Sequence, residues 1–258
     1  MKKTSTILNL RLCMLFCIFF QWIVAQNPNQ IGIHSHNDYQ QAIPLWTAYN
    51  NGLNSIEIDV FLKNDNLYVT HSESEIIKER TIESLYLTPL SKEISDQLDF
   101  SNKLQILIDV KSEARITLNK LIQILNQYPQ IIDQENISIV ISGNRPDPKE
   151  YVCYPNFIHF DYQSLDPLEN EKIWNKIALI SLNFKKTSNW NGVGGVTPKD
   201  YKKIDSVVRI AHQYDKPFRF WSTPDTRVAW RVFSNLGVDY INTNQPAKAS
   251  AYFKKRNR

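Results

Sequence analysis

The sequence of 258 residues is poor in cysteine and glycine and carries little net charge. Two of its three cysteines, Cys13 and Cys17, lie in an apolar run near the amino terminus, which leaves Cys153 alone in the remainder. A disulfide bond within that remainder is therefore excluded. Seven glycines are too few for a collagen-like chain, and a composition of 42% hydrophobic and 22% charged residues suits a globular protein rather than a coiled coil or a disordered chain.

The apolar run spans residues 12–24 and follows three basic side chains, Lys2, Lys3 and Arg11. A basic start, an apolar middle and a small residue such as Ala25 at the end are typical of a secretory signal peptide. About 13 apolar residues are fewer than the roughly 20 that a membrane-spanning helix needs. We therefore expect residues 1–25 to be a cleaved signal peptide, and residues 26–258 to form one domain that is exported to the periplasm or secreted.

Charge gives little indication of a macromolecular partner. Removal of the signal peptide lowers the formal charge from +4 to about +1, because three basic side chains are lost. A nearly neutral domain lacks the basic surface that nucleic-acid binding requires, so we expect no nucleic-acid partner, and no feature indicates a protein partner. The basic residues within 254–258 form a short tail that permits transient contact with an anionic membrane surface.

Short apolar runs alternate with segments of helical periodicity from residue 31 onward, without a linker or a repeat. Apolar residues in the helical segments recur at spacings of three and four, as in 118–125 and 204–211. About eight repeats of this unit predict an α/β fold, a TIM barrel of parallel strands, with an open doubly wound sheet as the alternative. The expected strands are 31–34, 55–60, 104–110, 137–142, 156–161, 177–182, 217–221 and 239–242, with an extension at 67–70 and further helices at 91–100 and 224–236.

Acidic residues cluster where two of these strands end. Glu57 and Asp59 lie two residues apart, as do Asp109 and Lys111, and such pairs project to the same side of a strand. In a TIM barrel the carboxyl ends of the strands surround the active site. Carboxylates held this closely repel one another unless a cation compensates, and oxygen ligands suit Mg²⁺ or Ca²⁺. We predict that Glu57, Asp59 and Asp109 hold one divalent cation.

Two histidines complete the predicted site. His34 follows the first strand and His71 follows the extension. Imidazoles titrate near neutral pH, so two of them on either side of a metal-bound anion can act as general base and general acid. His36 has two open interpretations, since it either lines the site or fixes the loop after His34 by hydrogen bonding.

These residues resemble the PLC-like phosphodiesterase superfamily, which includes glycerophosphodiester phosphodiesterases and spider-venom-type phospholipases D. The resemblance covers nearly all of residues 26–258, and it is strongest to the branch named after altered inheritance of mitochondria protein 6. The matching motifs are His34-Ser35-His36-Asn37-Asp38-Tyr39, Pro44-Leu45, Gly52, Ser55-Ile56-Glu57-Ile58-Asp59-Val60, Leu67-x-Val69-x-His71, Ile108-Asp109-Val110-Lys111, Phe220-Trp221-Ser222-Thr223 and residues 237–246.

The resemblance implies an exported, metal-dependent TIM barrel that hydrolyses a glycerophosphodiester-like or phospholipid-like phosphodiester. It implies metal ligands at Glu57, Asp59 and Asp109, catalytic groups at His34, His71 and Lys111, and substrate contacts at His36, Asn37 and Trp221. His34 is favoured over His36 as the catalytic histidine because it directly follows the apolar strand.

Because of two departures from the glycerophosphodiesterase pattern, the sequence does not predict which alcohol groups the substrate carries. Ser35 stands where those enzymes have arginine, and Leu45 stands where they have glutamate.

Two rival functions are consistent with parts of the pattern. One is a zinc hydrolase of the amidohydrolase or PHP type, in which His34 and His36 form a metal-binding pair after the first strand. That interpretation leaves Glu57, Asp59 and Lys111 without a role. The other is a non-catalytic barrel that binds phosphorylated or lipid ligands, which does not explain why a full set of acid, base and metal-ligand candidates is present.

Overall fold

The structure is a computed structural model that describes residues 31–96 and 103–256, so the predicted signal peptide lies outside the described residues. Each predicted strand is present, with ends that differ by at most three residues from the expected ones. The strands are β1 (Gly32–Ser35), β2 (Ser55–Lys63), β3 (Asn66–Val69), β4 (Leu104–Val110), β5 (Ile137–Gly143), β6 (Ile158–Tyr162), β7 (Ile177–Asn183), β8 (Phe218–Trp221) and β9 (Tyr240–Thr243).

Eight of these strands form a closed parallel barrel. Strand β1 pairs in parallel with β2 on one side and with β9 on the other, which closes the sheet. The order around the barrel is β1, β2, β4, β5, β6, β7, β8 and β9. Strand β3 pairs antiparallel with β2 and so forms the predicted extension outside the barrel. The TIM barrel is confirmed, and the open doubly wound sheet is wrong because that sheet has two free edges.

Helices connect the strands and cover the outside of the barrel. They are α1 (Trp46–Asn50), α2 (Thr88–Ser95), α3 (Ala114–Leu125), α4 (Pro129–Ile132), α5 (Glu171–Trp174), α6 (Phe184–Thr187), α7 (Pro198–His212), α8 (Arg227–Asn235) and α9 (Pro246–Arg256). Short 3₁₀ turns occupy Asp38–Gln40, Glu73–Glu75 and Pro148–Cys153, and a π-helical turn, Glu83–Leu87, precedes α2.

Two helical expectations need correction. Helix α2 begins at Thr88 rather than at residue 91, and the end predicted at residue 100 lies outside the described residues. Helix α8 begins at Arg227 rather than at residue 224, because the side chain of Thr226 caps it by accepting the backbone N–H of Ala229. Residues 254–256 of the basic tail belong to helix α9, in which Ala249 and Phe253 are buried one turn apart.

The two faces of a barrel strand differ in polarity. The outer face, which the helices cover, is apolar, and the face toward the barrel interior carries polar side chains. In β2, Ile56, Ile58 and Val60 are fully buried in the main hydrophobic core, while the alternate residues Glu57 and Asp59 project to the other side. This alternation places carboxylates inside the barrel.

Inside the barrel, Leu107, Val140 and Leu179 form a small separate apolar cluster. Leu107 pairs with Glu57 in the sheet, so this cluster lies at the level of Glu57. Apolar side chains thus fill part of the interior at this level, two residues before Asp109 along β4.

Candidate active site

A cavity of about 610 Å³ opens at the carboxyl ends of the barrel strands. Its walls combine two histidines, charged groups on or next to β2, β4 and β8, and neutral polar groups. The lining residues are His36, Glu57, His71, Asp109, Val110, Lys111, Ser142, Gly143, Asn144, Gln163, Arg219, Trp221, Ser222, Thr223, Asn242 and Asn244. The position is the one where TIM-barrel active sites occur.

The three predicted acidic residues come together at this cavity. Asp59 of β2 lies directly opposite Asp109 of β4 in the sheet, and Glu57 precedes Asp59 by one pleat. One carboxylate oxygen from each residue lies within 4.8 Å of the others. Glu57 is 5% exposed and Asp59 is fully buried, so the cluster is largely removed from water.

Gly143 makes room for this cluster. A Cβ atom at residue 143 would overlap Asp109 Oδ1 and would lie 2.5 Å from the carbonyl oxygen of Val110. The backbone of Gly143 also has a φ angle of +67°, which side-chain-bearing residues rarely adopt. Both constraints select glycine beside the carboxylate of Asp109.

Asp59 is held from one side and left open on the other. Its Oδ2 accepts hydrogen bonds from the Tyr39 hydroxyl at 2.9 Å and from His71 Nδ1 at 2.8 Å. No described group donates a hydrogen bond to its buried Oδ1, although Lys111 Nζ lies 3.2 Å away. A buried carboxylate oxygen without a hydrogen bond is costly unless a cation binds it.

The electrostatics of the cluster also favour a cation. Burial and the carboxylate of Glu57 raise the pKa of Asp109 to about 6, even though the Lys111 ammonium 3.0 Å away opposes the shift. Burial by itself would lower the pKa of Lys111, but the carboxylates of Asp109 and Asp59 outweigh it and raise that pKa. Even with Lys111 beside Asp109 and Arg219 beside Glu57, the pKa of Asp109 stays raised, and the oxygen donors of the three acids fit Mg²⁺ or Ca²⁺.

Two histidines face this cluster from different elements. His36 Nδ1 lies 2.7 Å from Asn244 Oδ1, and His36 Nε2 lies 3.9 Å from Glu57 Oε1. Because an amide oxygen and a carboxylate oxygen only accept, Nδ1 of His36 and Nδ1 of His71 carry protons in these contacts. The Nε2 atom of each ring is then the one available for proton transfer.

His34 lies deeper and does not line the cavity. It is fully buried, with Nδ1 2.7 Å from Ser55 Oγ and Nε2 2.7 Å from Glu57 Oε2. Burial and the nearby Arg219 guanidinium lower its pKa to about 4, so the ring is neutral near pH 7. Burial alone would raise the pKa of Glu57. The hydrogen bond with His34 and the charge of Arg219 outweigh burial, so the pKa of Glu57 is lowered.

The predicted substrate contacts have different positions. His36 and Trp221 line the cavity, whereas Asn37 is outside the group of residues that line it. Asn37 adopts a left-handed conformation with a φ of 48° and a ψ of 52°, and its carbonyl accepts the N–H of Gln40. Its position is that of a turn residue before the first 3₁₀ turn.

Arg219 and Asp161 are interior residues to which the sequence patterns assign no role. The Arg219 guanidinium is 2% exposed and contacts Glu57, and Asp161 is fully buried beside it. Arg219 lies two residues before Trp221 on β8, so strand alternation could have placed it inside the barrel. An arginine between Phe218 and Phe220 in a short apolar strand was the available signal.

Within the described residues, no helix has both the length and the apolar character needed to cross a membrane.

Two protein families match parts of the sequence. The AIM6-like phosphodiesterase domain matches residues 24–113, which contain the acidic cluster and both cavity histidines. The glycerophosphoryl diester phosphodiesterase family matches residues 217–247, which contain Arg219 and Trp221.

Fungal proteins are similar over most of the chain. A homologue of altered inheritance of mitochondria protein 6 from Arthroderma benhamiae is 27% identical over 267 residues, which cover 86% of this chain and 84% of that protein. The protein of that name from Eremothecium gossypii is 26% identical over 261 residues, covering 82% of this chain and 67% of that protein.

Solved structures share the fold. A glycerophosphodiester phosphodiesterase from Parabacteroides distasonis superposes with a TM-score of 0.59 and 14% identity, covering 89% of this chain and 99% of that chain. A glycerophosphodiester phosphodiesterase from Agrobacterium tumefaciens has a TM-score of 0.51 and 14% identity, and the match covers 86% of this chain and 99% of that chain. The motifs, the barrel and these similarities agree, and they support a relationship of this chain to the PLC-like phosphodiesterase superfamily.

Proposed function

We propose that this protein is a metal-dependent phosphoric diester hydrolase that acts on a glycerophosphodiester-like or phospholipid-like substrate. The observation that carries this proposal is one cavity lined by two carboxylates, two histidines and one lysine, with the buried carboxylate of Asp59 within 4.8 Å of the other two. The similarity to phosphodiesterase family models supports the same reaction type.

Glu57, Asp59 and Asp109 would hold one divalent cation, Mg²⁺ or Ca²⁺, through Asp59 Oδ1 and the neighbouring carboxylate oxygens. When bound, the cation would polarise the phosphate and stabilise the negative charge that develops on its oxygens. Lys111 adds a second positive charge beside the same cavity.

We assign the acid and base roles to His36 and His71. Both line the cavity, and each has its Nδ1 committed to an oxygen acceptor, which leaves Nε2 for the substrate. One Nε2 would take the proton of the attacking hydroxyl as its oxygen forms a bond to phosphorus. The other would protonate the alcohol oxygen as its bond to phosphorus breaks.

This assignment differs from the sequence-based preference for His34. A neutral, fully buried ring that does not line the cavity supports a structural role for His34 beside Glu57. Trp221 borders the cavity and would contact the alcohol part of the substrate.

The predicted signal peptide, residues 1–25, would direct export of the enzyme to the periplasm or outside the cell and would then be removed. Its substrate would then be a small or lipid phosphodiester available there. The basic residues at the end of α9 would permit transient contact with an anionic membrane surface.

A panel of phosphodiesters, assayed before and after EDTA treatment, tests the proposed reaction. We expect turnover of at least one glycerophosphodiester or phospholipid, its loss with EDTA, and its recovery with Mg²⁺ or Ca²⁺. The His71→Asn variant should lose roughly 10²- to 10⁴-fold in kcat. The His212→Asn variant on helix α7 is the matched control and should keep wild-type activity. Turnover that withstands both EDTA and His71→Asn would contradict the proposal.

A further inference from the structure

Arg219 occupies an unusual position inside the barrel, between two carboxylates. Its Nη1 lies 2.5 Å from His34 Nε2, 2.9 Å from Glu57 Oε2 and 3.2 Å from Asn242 Oδ1, and its Nη2 lies 3.5 Å from Asp161 Oδ2. The guanidinium is nearly inaccessible to solvent. Its side chain thus bridges β8 to β2 and β6 across the interior.

These contacts divide the two oxygens of Glu57 between different roles. Oε2 is occupied by His34 Nε2 at 2.7 Å and by Arg219 Nη1 at 2.9 Å. Oε1 lies on the side of His36 Nε2, at 3.9 Å. Oε1 is therefore the Glu57 oxygen left for a cation.

Arg219 is itself held in place by Asp161. Asp161 Oδ2 accepts hydrogen bonds from Ser142 Oγ at 2.9 Å and from Ser181 Oγ at 2.6 Å, so its carboxylate has a fixed position. The contacts form a continuous chain from the two serines through Asp161 and Arg219 to Glu57.

Stability alone is a poor reason for this arrangement. Desolvation of two charges largely offsets their attraction, so apolar side chains would fill the same space at equal or lower free energy. Groups that orient metal ligands, in contrast, commonly contribute 10- to 100-fold to metal affinity.

We propose that Arg219 is a positioning residue of the cation site. It binds Glu57 through Oε2 and thereby directs Oε1 toward the cation, while Asp161 anchors the guanidinium. The inference rests on the proposed function in one respect, namely that Glu57 is a ligand of the cation.

If Arg219 acted only through its charge, its replacement would change the cation affinity in the opposite direction. A guanidinium close to the acidic cluster repels a cation, so its removal would tighten cation binding if charge were its only contribution. Positioning predicts weaker binding when Arg219 is replaced. The sign of the change in affinity therefore separates the two roles.

The test is a titration of the purified chain with Mn²⁺, an ion that oxygen ligands accept, followed by the electron paramagnetic resonance signal of free Mn²⁺. Arg219→Met should bind Mn²⁺ roughly 10- to 100-fold more weakly than the wild type. Arg209→Met removes an exposed arginine that pairs with Asp205 on helix α7, and it should bind as the wild type does. Equal or tighter binding by Arg219→Met would overturn the inference.

Arg219→Lys keeps the charge but not the two-pronged geometry of the guanidinium. We expect its Mn²⁺ affinity to lie between those of the wild type and Arg219→Met. If circular dichroism shows that Arg219→Met does not fold, Arg219→Lys decides, because an unchanged affinity with an unchanged charge would overturn the inference.

The measurement needs no substrate, so it separates this inference from the proposed reaction. A wild-type chain that binds Mn²⁺ without hydrolysing any diester would contradict the proposed function and leave the role of Arg219 testable by the same variants. A wild-type chain that binds no Mn²⁺ would overturn both.

Discussion

The two histidines of the motif His34-Ser35-His36 show that two positions along the chain change the surroundings of an imidazole. His34 and His36 project to the same side of β1 and its continuation, but His34 is fully buried while the side chain of His36 is 33% exposed. The deeper ring contacts Ser55 and Glu57, and the outer ring faces the cavity. Sequence reasoning identified both candidates, but depth within a barrel is set by tertiary packing, which periodicity does not report.

Substitution of each histidine separates the two roles. His36→Asn should lower kcat/KM roughly 10²- to 10⁴-fold and leave thermal stability unchanged, because it removes a proton-transfer group from a polar cavity. His34→Asn should destabilise the fold by about 1 to 3 kcal/mol, because buried partners lose their hydrogen bonds. Thermal unfolding and initial rates measured on both variants provide the comparison. Loss of stability in His36→Asn with full stability in His34→Asn would reverse the assignment.

Gly143 allows a second prediction at the scale of single residues. Gly143→Ala should weaken divalent-cation affinity at least about tenfold, because its methyl group would displace the carboxylate of Asp109. Gly194 has a φ angle of +66° and nothing within 4 Å of an added Cβ, so Gly194→Ala carries the same backbone strain without the overlap. Isothermal titration calorimetry with Mg²⁺ or Ca²⁺ compares the two. Equal losses of affinity would show that backbone strain, not the overlap, matters.

At the scale of elements, the antiparallel turn from β2 into β3 completes the site. Strand β3 returns toward the barrel, and the N–H of Thr70 donates to the carbonyl of Asp59. His71 follows directly and reaches the carboxylate of Asp59. The turn-like residues Lys63-Asn64-Asp65-Asn66 made this extension predictable, since Asn64 and Asp65 adopt positive φ angles.

Other parts of the site could not be derived from local patterns. The strands, the Glu57 and Asp59 pair and Asp109 with Lys111 followed from alternation with a period of two. The contact of Arg219 with Glu57 joins residues 162 positions apart, and its geometry depends on how the closed barrel brings β8 opposite β2. The left-handed turn at Asn37 likewise depends on the path of the loop into the first 3₁₀ turn.

Closure of the barrel depends on contact between the first and last strands. Gly32 of β1 lies against the ring of Tyr240 in β9, and an added Cβ would lie 2.5 Å from Tyr240 Cδ1. Gly32→Ala should destabilise the fold by about 1 to 3 kcal/mol through overpacking. Gly195→Ala, where an added Cβ meets nothing within 4 Å, should change stability little. Urea unfolding followed by circular dichroism measures both, and equal stability of the two variants would contradict this account of closure.

At the scale of the whole molecule, the barrel concentrates charge that the overall composition conceals. The formal charge of the full chain is only +4, yet three carboxylates, one lysine and one buried arginine meet at the carboxyl ends of the strands. Parallel strands end at the same face, so residues from distant parts of the chain contribute to one cavity. The structural similarity to glycerophosphodiester phosphodiesterases covers 89% and 86% of this chain.

The central claim is that Glu57, Asp59 and Asp109 jointly bind one divalent cation in this cavity. Its most direct test is the stoichiometry of Mg²⁺ or Ca²⁺ binding, measured by equilibrium dialysis on the wild type and on Asp109→Asn. Asp133→Asn, at an exposed position away from the cavity, is the matched control. We predict one ion per chain in the wild type and the control, and its loss in Asp109→Asn. A wild type that binds no ion, or an Asp109→Asn variant that binds one as tightly, would contradict the account.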